Sequence, residues 1–286
     1  MHGKSRSKIQ SPGLFAGTDQ IISSFLGLSP GESLKHKRIN IRLSEPKASL
    51  PEDFSVLMTA LYRQILINRS DREPSKENWR KERQIEISEK NRSPEVLLER
   101  GIANLAERGA LDEWYNQIPV ASGFVNAHAD KRAAVDLMHY REDHATLVEL
   151  KWASDQPCFA AFEILRYGLA FLYAHINQRD LGYQEKPLLS TNKVSLRVLA
   201  PHTYYQGYDL TSLRSALDSG IRAIADEKTN GALSMDFGFM VFPVDFQMPF
   251  SLGTDVLRLR TEETDAGRAV AAAMNSLEPF WGEALG

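Results

Sequence analysis

Two short apolar stretches, each carrying an acid, constrain this chain more than any other feature. They are Val135-Asp136-Leu137 and, twelve residues beyond Asp136, Val148-Glu149-Leu150-Lys151. Between them lies Arg141-Glu142-Asp143-His144, which is polar and turn-prone. A hairpin centred between Glu142 and Asp143 sets Tyr140 opposite Ala145, Leu137 opposite Val148 and Asp136 opposite Glu149. Side chains alternate along a strand, so Lys151 shares the face of Glu149, while Val135, Leu137, Val148 and Leu150 form an apolar face behind them. Directly opposed residues hold their Cβ atoms about 4.5–5.5 Å apart, and like charges there repel. Two carboxylates so placed require a proton or a divalent cation. With a lysine beside them they are equipped to hydrolyse a phosphodiester.

The elements around this hairpin follow from periodicity. Ser93-Pro94-Glu95 places an N-cap, a proline at the first helical position and an acid in the first turn, and so predicts a helix to about Arg108, stopped by Gly109. Residues 117–125 read as a strand whose Pro119 marks an edge or a bend. Strands are expected over 133–140 and 145–152. Residues 157–176 form a helix that is apolar on nearly every side, as a helix buried against a sheet must be. A strand over 194–200, a helix over 211–227, a strand over 237–246 and a helix over 266–280 complete the order. The fold class is therefore α/β, with a mixed central sheet flanked by helices on both faces and a helical N-terminal extension. We expect a loosely ordered arm over 1–50 with a short helix near Asp19–Leu26. A helical extension and charged linker follow over 51–92, the helix running from Pro51 to Asn68, and then the α/β domain over 93–286.

Charge is unevenly spread. Residues 1–100 carry 18 Lys and Arg against 13 Asp and Glu, and residues 101–286 carry 16 against 24. The basic part suits a polyanion and the acidic part a metal ion. The single cysteine, Cys158, excludes an intramolecular disulfide and a cysteine-rich zinc site, and its place in an apolar helix marks a buried thiol. No apolar run is read as long enough to span a bilayer, and no secretory signal is read at the N-terminus, so a cytoplasmic protein without a membrane partner is expected. No Gly-rich phosphate loop, nucleotide-binding fingerprint or Ser-His-Asp order is found.

The acid on one strand followed by acid-x-Lys on the next, here Asp136 and Glu149-Leu150-Lys151, resembles the motif of the PD-(D/E)XK, restriction-endonuclease-like nuclease superfamily. The resemblance covers residues 93–200. It implies a restriction-endonuclease-like fold and a Mg²⁺-dependent nuclease, with Mn²⁺ as a substitute, acting on nucleic acid, expected to be DNA. Asp136, Glu149 and the Leu150 carbonyl would be the metal ligands, and Lys151 would position water. Glu99 would be an auxiliary acid from the preceding helix, with Glu95 as second choice. The Glu163-x₃-Tyr167 spacing is similar to the Gln-x₃-Tyr of the RecB-like branch, with glutamate replacing glutamine and Val135 replacing the motif's proline. Glu163 and Tyr167 would support the site, with Arg166 on the same stripe. The basic N-terminal region would contact phosphates. A homodimer or a nucleoprotein partner fits the same reading. The rival is an inactive protein of this fold that serves as a nucleic-acid-binding or scaffold module.

Other residues carry less. His128 and Asp130 precede the second strand, His139 faces away from Asp136, and His144 lies in the hairpin turn with no special role expected. Trp79 among charges, and the aromatic run from Tyr204 to Tyr208, are either base-stacking platforms or packing groups.

Overall fold

The computed structural model describes residues 13–44, 50–69, 73–88, 91–125, 133–249 and 265–281. The chain is an α/β protein with a six-stranded mixed open sheet packed against helices and a helical N-terminal region. The strands are β1 (Trp114–Pro119), β2 (Ala134–Arg141), β3 (His144–Leu150), β4 (Lys193–Ala200), β5 (Ser234–Val241) and β6 (Glu278–Phe280), and they lie in sequence order across the sheet. β1, β2 and β3 are antiparallel neighbours, β3, β4 and β5 run parallel, and β6 returns antiparallel.

The first face of the sheet carries Ala145, Leu147, Val194, Leu196, Val198, Met235, Phe237 and Phe239, all in one core. The two parallel crossovers, α5 (Pro157–Ile176) and α7 (Thr211–Thr229), cover it. α5 is buried along almost its whole length, as its all-round apolar sequence demands. By length and composition alone it could cross a membrane, contrary to the reading that no apolar run is long enough, but 78% of its most apolar 18-residue window is buried within the protein. Gly168 sits where α5 meets β4: a Cβ there would fall 2.3 Å from Leu196 Cδ1. α3 (Phe54–Asn68) packs outside α7, with Asp53 accepting the Ser55 amide as its N-cap. The second face is covered by α4 (Pro94–Glu107) and α8 (Asp265–Asn275) around Leu137, Val148, Leu150, Leu199 and Phe242. Ser93 caps α4 by accepting the Val96 amide, and Gly109, at φ 79, ends it as its sequence predicts.

Four expectations need correcting. Residues 13–44 are not a loose arm: they hold α1 (Thr18–Phe25) and α2 (Lys37–Leu43), and Leu14, Ile22, Ile39 and Leu43 are buried in the main core. Asn40 explains part of this order, because its Oδ1 accepts the Cys158 amide at the start of α5 at 2.8 Å. The charged stretch after α3 is neither a helix nor a solvated linker over 75–84. It runs as a strap beside β1, with Ser75 N–H donating to the Ser122 carbonyl and Trp79 N–H to the Pro119 carbonyl. Gly123, at φ +83, permits that approach, since a Cβ would lie 2.6 Å from Ser75 N. Trp79 is therefore buried, edge-on to Phe171, and closed to any base. The first strand begins at Trp114 rather than at 117, and the last helix ends at Asn275, leaving β6 as a strand that periodicity did not show.

The fourth correction bears on the site. β1 and β2 lose their pairing at Gln117 and Asp136, and Gln117 has φ 51. Both Asn116 and Gln117 consequently turn their amides to Glu99, and alternation shifts beyond them. Val135, expected behind the acids with Leu137, packs instead into the main core with Ile118. Leu137, Val148 and Leu150 do form the apolar backing.

Candidate functional site

The hairpin closes as its sequence requires, with Leu137 paired to Val148 and Tyr140 to Ala145. The ladder stops at Leu137, so Asp136 and Glu149 are not a ladder pair. Asp136 Oδ2 instead accepts the Leu150 amide at 2.9 Å. In an extended strand a residue's N–H and C=O leave on the same edge, so the Leu150 carbonyl also leaves toward Asp136. The neighbouring amide, Lys151 N–H, points the other way and donates to the Leu199 carbonyl of β4.

Lys151 lies at the centre of the cluster. Its Nζ is 2.8 Å from Glu149 Oε1, 3.3 Å from Glu163 Oε2 and 3.8 Å from Asp155 Oδ2. Lys151 and Glu149 are only 7% and 4% exposed, and Asp136 and Glu163 are half-buried. Burial pushes the Glu149 carboxyl well above the ordinary range, and the Asp136 charge pushes it further, against the pull of Lys151. Burial likewise raises Asp136, opposed by Lys151 and the Leu150 amide. Burial alone would lower the Lys151 ammonium, but Glu149, Glu163 and Asp136 outweigh it and hold the group charged. Glu149 Oε2 is buried without a hydrogen-bond partner.

Two acids of α4 flank the cluster with different duties. Glu95 Oε1 accepts the Trp152 amide at 2.9 Å and the Ser154 hydroxyl at 2.6 Å, so it fixes the turn that follows Lys151. Glu99 is buried, accepting from Asn116 at 2.6 Å and Gln117 at 2.9 Å. Burial and then the Asp136 charge raise its carboxyl to about 7. On α5, Tyr167 is buried, and burial followed by the Glu149, Glu163 and Asp136 charges holds its hydroxyl protonated. Arg166 turns away and pairs with Asp19 of α1 at 2.8 Å.

Two groups at the site escaped the sequence reading. Asp155, at φ 57, bridges Lys151 and Lys35 at 3.8 Å each. Its only sequence signal is the four-residue spacing from Lys151. Tyr204, on the short helix α6 (His202–Tyr205), has a buried hydroxyl with no hydrogen-bond partner; burial raises its pKa, and the charges of Lys151, Asp155 and Glu149 act on it. The aromatic run is otherwise packing: Tyr205 and Tyr208 are buried, and Tyr205 donates to the Val198 carbonyl. His139 stacks near Trp114 as expected of a residue facing away, whereas His144 is not idle: its Nε2 lies 2.9 Å from Ser195 Oγ. His128 and Asp130 lie outside the described residues. Cys158 is a buried thiol, raised by burial to about 12.

Among the described residues no three His, Cys, Asp or Glu side chains converge as a metal cage. Hard cations such as Mg²⁺ use one or two carboxylates, backbone carbonyls and water, so an all-protein cage is not what they need. The unpartnered Glu149 Oε2, the Asp136 carboxylate and the Leu150 carbonyl edge are an all-oxygen donor set of that kind. The chain matches no protein-family model, no curated protein and no solved structure.

Proposed function

We propose that the chain is a metal-dependent nuclease of restriction-endonuclease-like fold, related to the PD-(D/E)XK superfamily, that hydrolyses phosphodiester bonds of DNA. One observation carries this reading: Lys151 and a buried Glu149 oxygen without a partner stand beside Asp136, on strands in helix–three strands–helix–strand order. A bound Mg²⁺ or Mn²⁺ would polarise the scissile phosphate and lower the pKa of water. Asp136 and Glu149 would hold it, with the Leu150 carbonyl as a third oxygen. Lys151 offers its charge to the attacking water or to the developing negative charge at phosphorus. Glu163 and Asp155 orient the ammonium from two sides, and Glu95 holds the turn after it. Glu99, neutral below about 7, stands behind Asp136 as the auxiliary acid. Tyr167 closes the α5 side.

The test is cleavage of plasmid and oligonucleotide DNA with Mg²⁺ or Mn²⁺, together with calorimetric Mn²⁺ binding. Wild type should cut, Lys151→Ala should not, and Glu149→Ala should lose both cutting and Mn²⁺ binding. One observation favours a second reading, an inactive nuclease-fold protein that binds nucleic acid or a protein partner. Lys151 already pairs with Glu149 Oε1 at 2.8 Å, so part of the acid charge is balanced without metal. Purified wild type that neither cuts nor binds Mn²⁺ decides for that reading.

A further inference from the structure

Among the described residues the second face of the sheet is covered in part. α4 and α8 pack over Val148, Leu150 and Leu199 toward the strand ends. Near the beginnings of β4 and β5 the same face carries Ser195, Arg197, Asp236 and Gly238, side by side in register. A cavity of about 690 Å³ opens over Arg197, Asp236 and Gly238, a size usual for sites that bind small ligands. It opens from the second face around the β5 edge that β6 leaves unpaired, where Arg214, Asp218 and Arg222 of α7 line it, and it shares no residue with the Glu149–Lys151 cluster.

Its lining is built around arginines. Arg197 pairs with Asp236 Oδ1, Asp236 Oδ2 accepts the Ser195 hydroxyl at 2.9 Å, and His144 Nε2 bonds the same hydroxyl at 2.9 Å. Ser195 and Asp236 are 2% and 8% exposed, so this chain of groups is a buried support that fixes one guanidinium. Gly238 lies beneath that arginine and presents no side chain to push it away; a Cβ there would only touch it at 3.7 Å. Arg222 is held by Asp218 at 2.8 Å. Arg141 and Arg214 also line the cavity, and neither forms an ion pair with a carboxylate among the described residues. Arg214 Nε is buried and has no hydrogen-bond partner, and its guanidinium lies 4.9 Å from the ring centre of Trp281, which is 60% exposed. Four arginines against Asp112, Asp218 and Asp236 leave the lining cationic.

Guanidinium forks match phosphate oxygens two at a time, and an exposed indole already stacked on one face by arginine offers its other face to a planar ring. We propose that this cavity binds a nucleotide-sized phosphate monoester, with Arg214 and Arg197 on the phosphate and Trp281 under the ring. The site does not rest on the nuclease reading.

The test is calorimetric titration of the full chain, without metal, with AMP, adenosine and inorganic phosphate. AMP should bind at least tenfold more tightly than either fragment. Arg214→Gln, and separately Arg214→Lys, which keeps the charge but not the fork, should each weaken AMP about tenfold or more. Trp281→Ala should weaken AMP severalfold and leave inorganic phosphate unchanged. Glu149→Gln should leave AMP affinity as in wild type, so a failure here and a failure of DNA cleavage are read separately. Absence of AMP binding at millimolar concentration overturns the proposal. So does adenosine binding as tightly as AMP, or AMP affinity indifferent to both Arg214→Lys and Trp281→Ala.

Discussion

The two faces of the sheet use polar residues in opposite ways. On the α5 face every position along β4 from Val194 to Val198 is apolar and buried, and charge enters only at the end of β3, where Glu149 and Lys151 sit almost without solvent. On the other face Ser195, Arg197 and Asp236 occupy the middle of the sheet, and a cavity stands over Arg197 and Asp236. The first arrangement confines a few charges in a dry place where each needs its partner. The second sets its charges under an open cavity, where water reaches Arg197 although Asp236 beneath it is buried. Losing one partner should therefore cost much more on the first face than on the second.

The sharpest way to break that comparison is Lys151→Met. It strands Glu149 and Asp136 as buried carboxylates, and removing one member of a buried ion pair costs about 3–5 kcal/mol. Urea unfolding at pH 7.5 should show that loss, and Glu149→Gln together with Lys151→Met should recover most of it. A single variant as stable as wild type would refute the account of the cluster as a dry charge pair. Leu196→Ala comes next, at about 2–5 kcal/mol, since its side chain is fully buried against Gly168. Its neighbour along the strand, Arg197, points to the other face; Arg197→Ala should cost less, about 1–3 kcal/mol, because the guanidinium is partly hydrated and Ser195 still bonds the buried Asp236. Equal losses at 196 and 197 would mean that the faces do not differ.

Glu99 adds a pH signature. Its carboxyl is raised from 4.5 to about 7 in the folded chain, so the folded state holds the proton more tightly than the unfolded one. The associated stability is fully present below pH about 4.5 and is lost as pH rises toward about 7, by at most roughly 3 kcal/mol. Glu99→Gln should flatten the stability profile over that window, by about 1–2 kcal/mol once the altered bonds to Asn116 and Gln117 are included. A variant with an undiminished slope would assign the dependence to Asp136 and Glu149.

The hairpin register, the N-cap of α4 and the buried character of α5 could be read from residues close in sequence. Each depends on local spacing: Leu137 with Val148, Ser93 with Val96, and a run of apolar residues from 157 to 176. What escaped depends on distant partners. Trp79 looks solvated among charges until Phe171 covers it, and Asn78 is buried because Tyr183 and Ser122 bond it from 105 and 44 residues away. The break at Gln117 and Asp136 followed from no hydrophobic pattern, because Glu99 draws two consecutive amides to one side. Asp155 meets Lys151 only through the turn after β3, and the Lys151 charge acts on Tyr204 from the short helix after β4. The alternation Ser195-x-Arg197 was visible in β4, yet its meaning required knowing that a cavity lies above Arg197.

The strap beside β1 has a consequence for how copies of this chain behave toward one another. A sheet that ends in an unpaired strand offers a row of free donors and acceptors to any other chain, and edge-to-edge pairing is a route to aggregates. Here one border is occupied by Ser75 and Trp79, which bond the β1 strand and the turn after it. At the opposite border β6, with Pro279 at its centre, pairs with Phe239–Val241, and Asp218 takes the Phe237 amide on the rest of the β5 edge. Trp79→Ala, by loosening the strap, should turn a well-behaved protein into one that self-associates on concentration, visible by light scattering before any loss of fold.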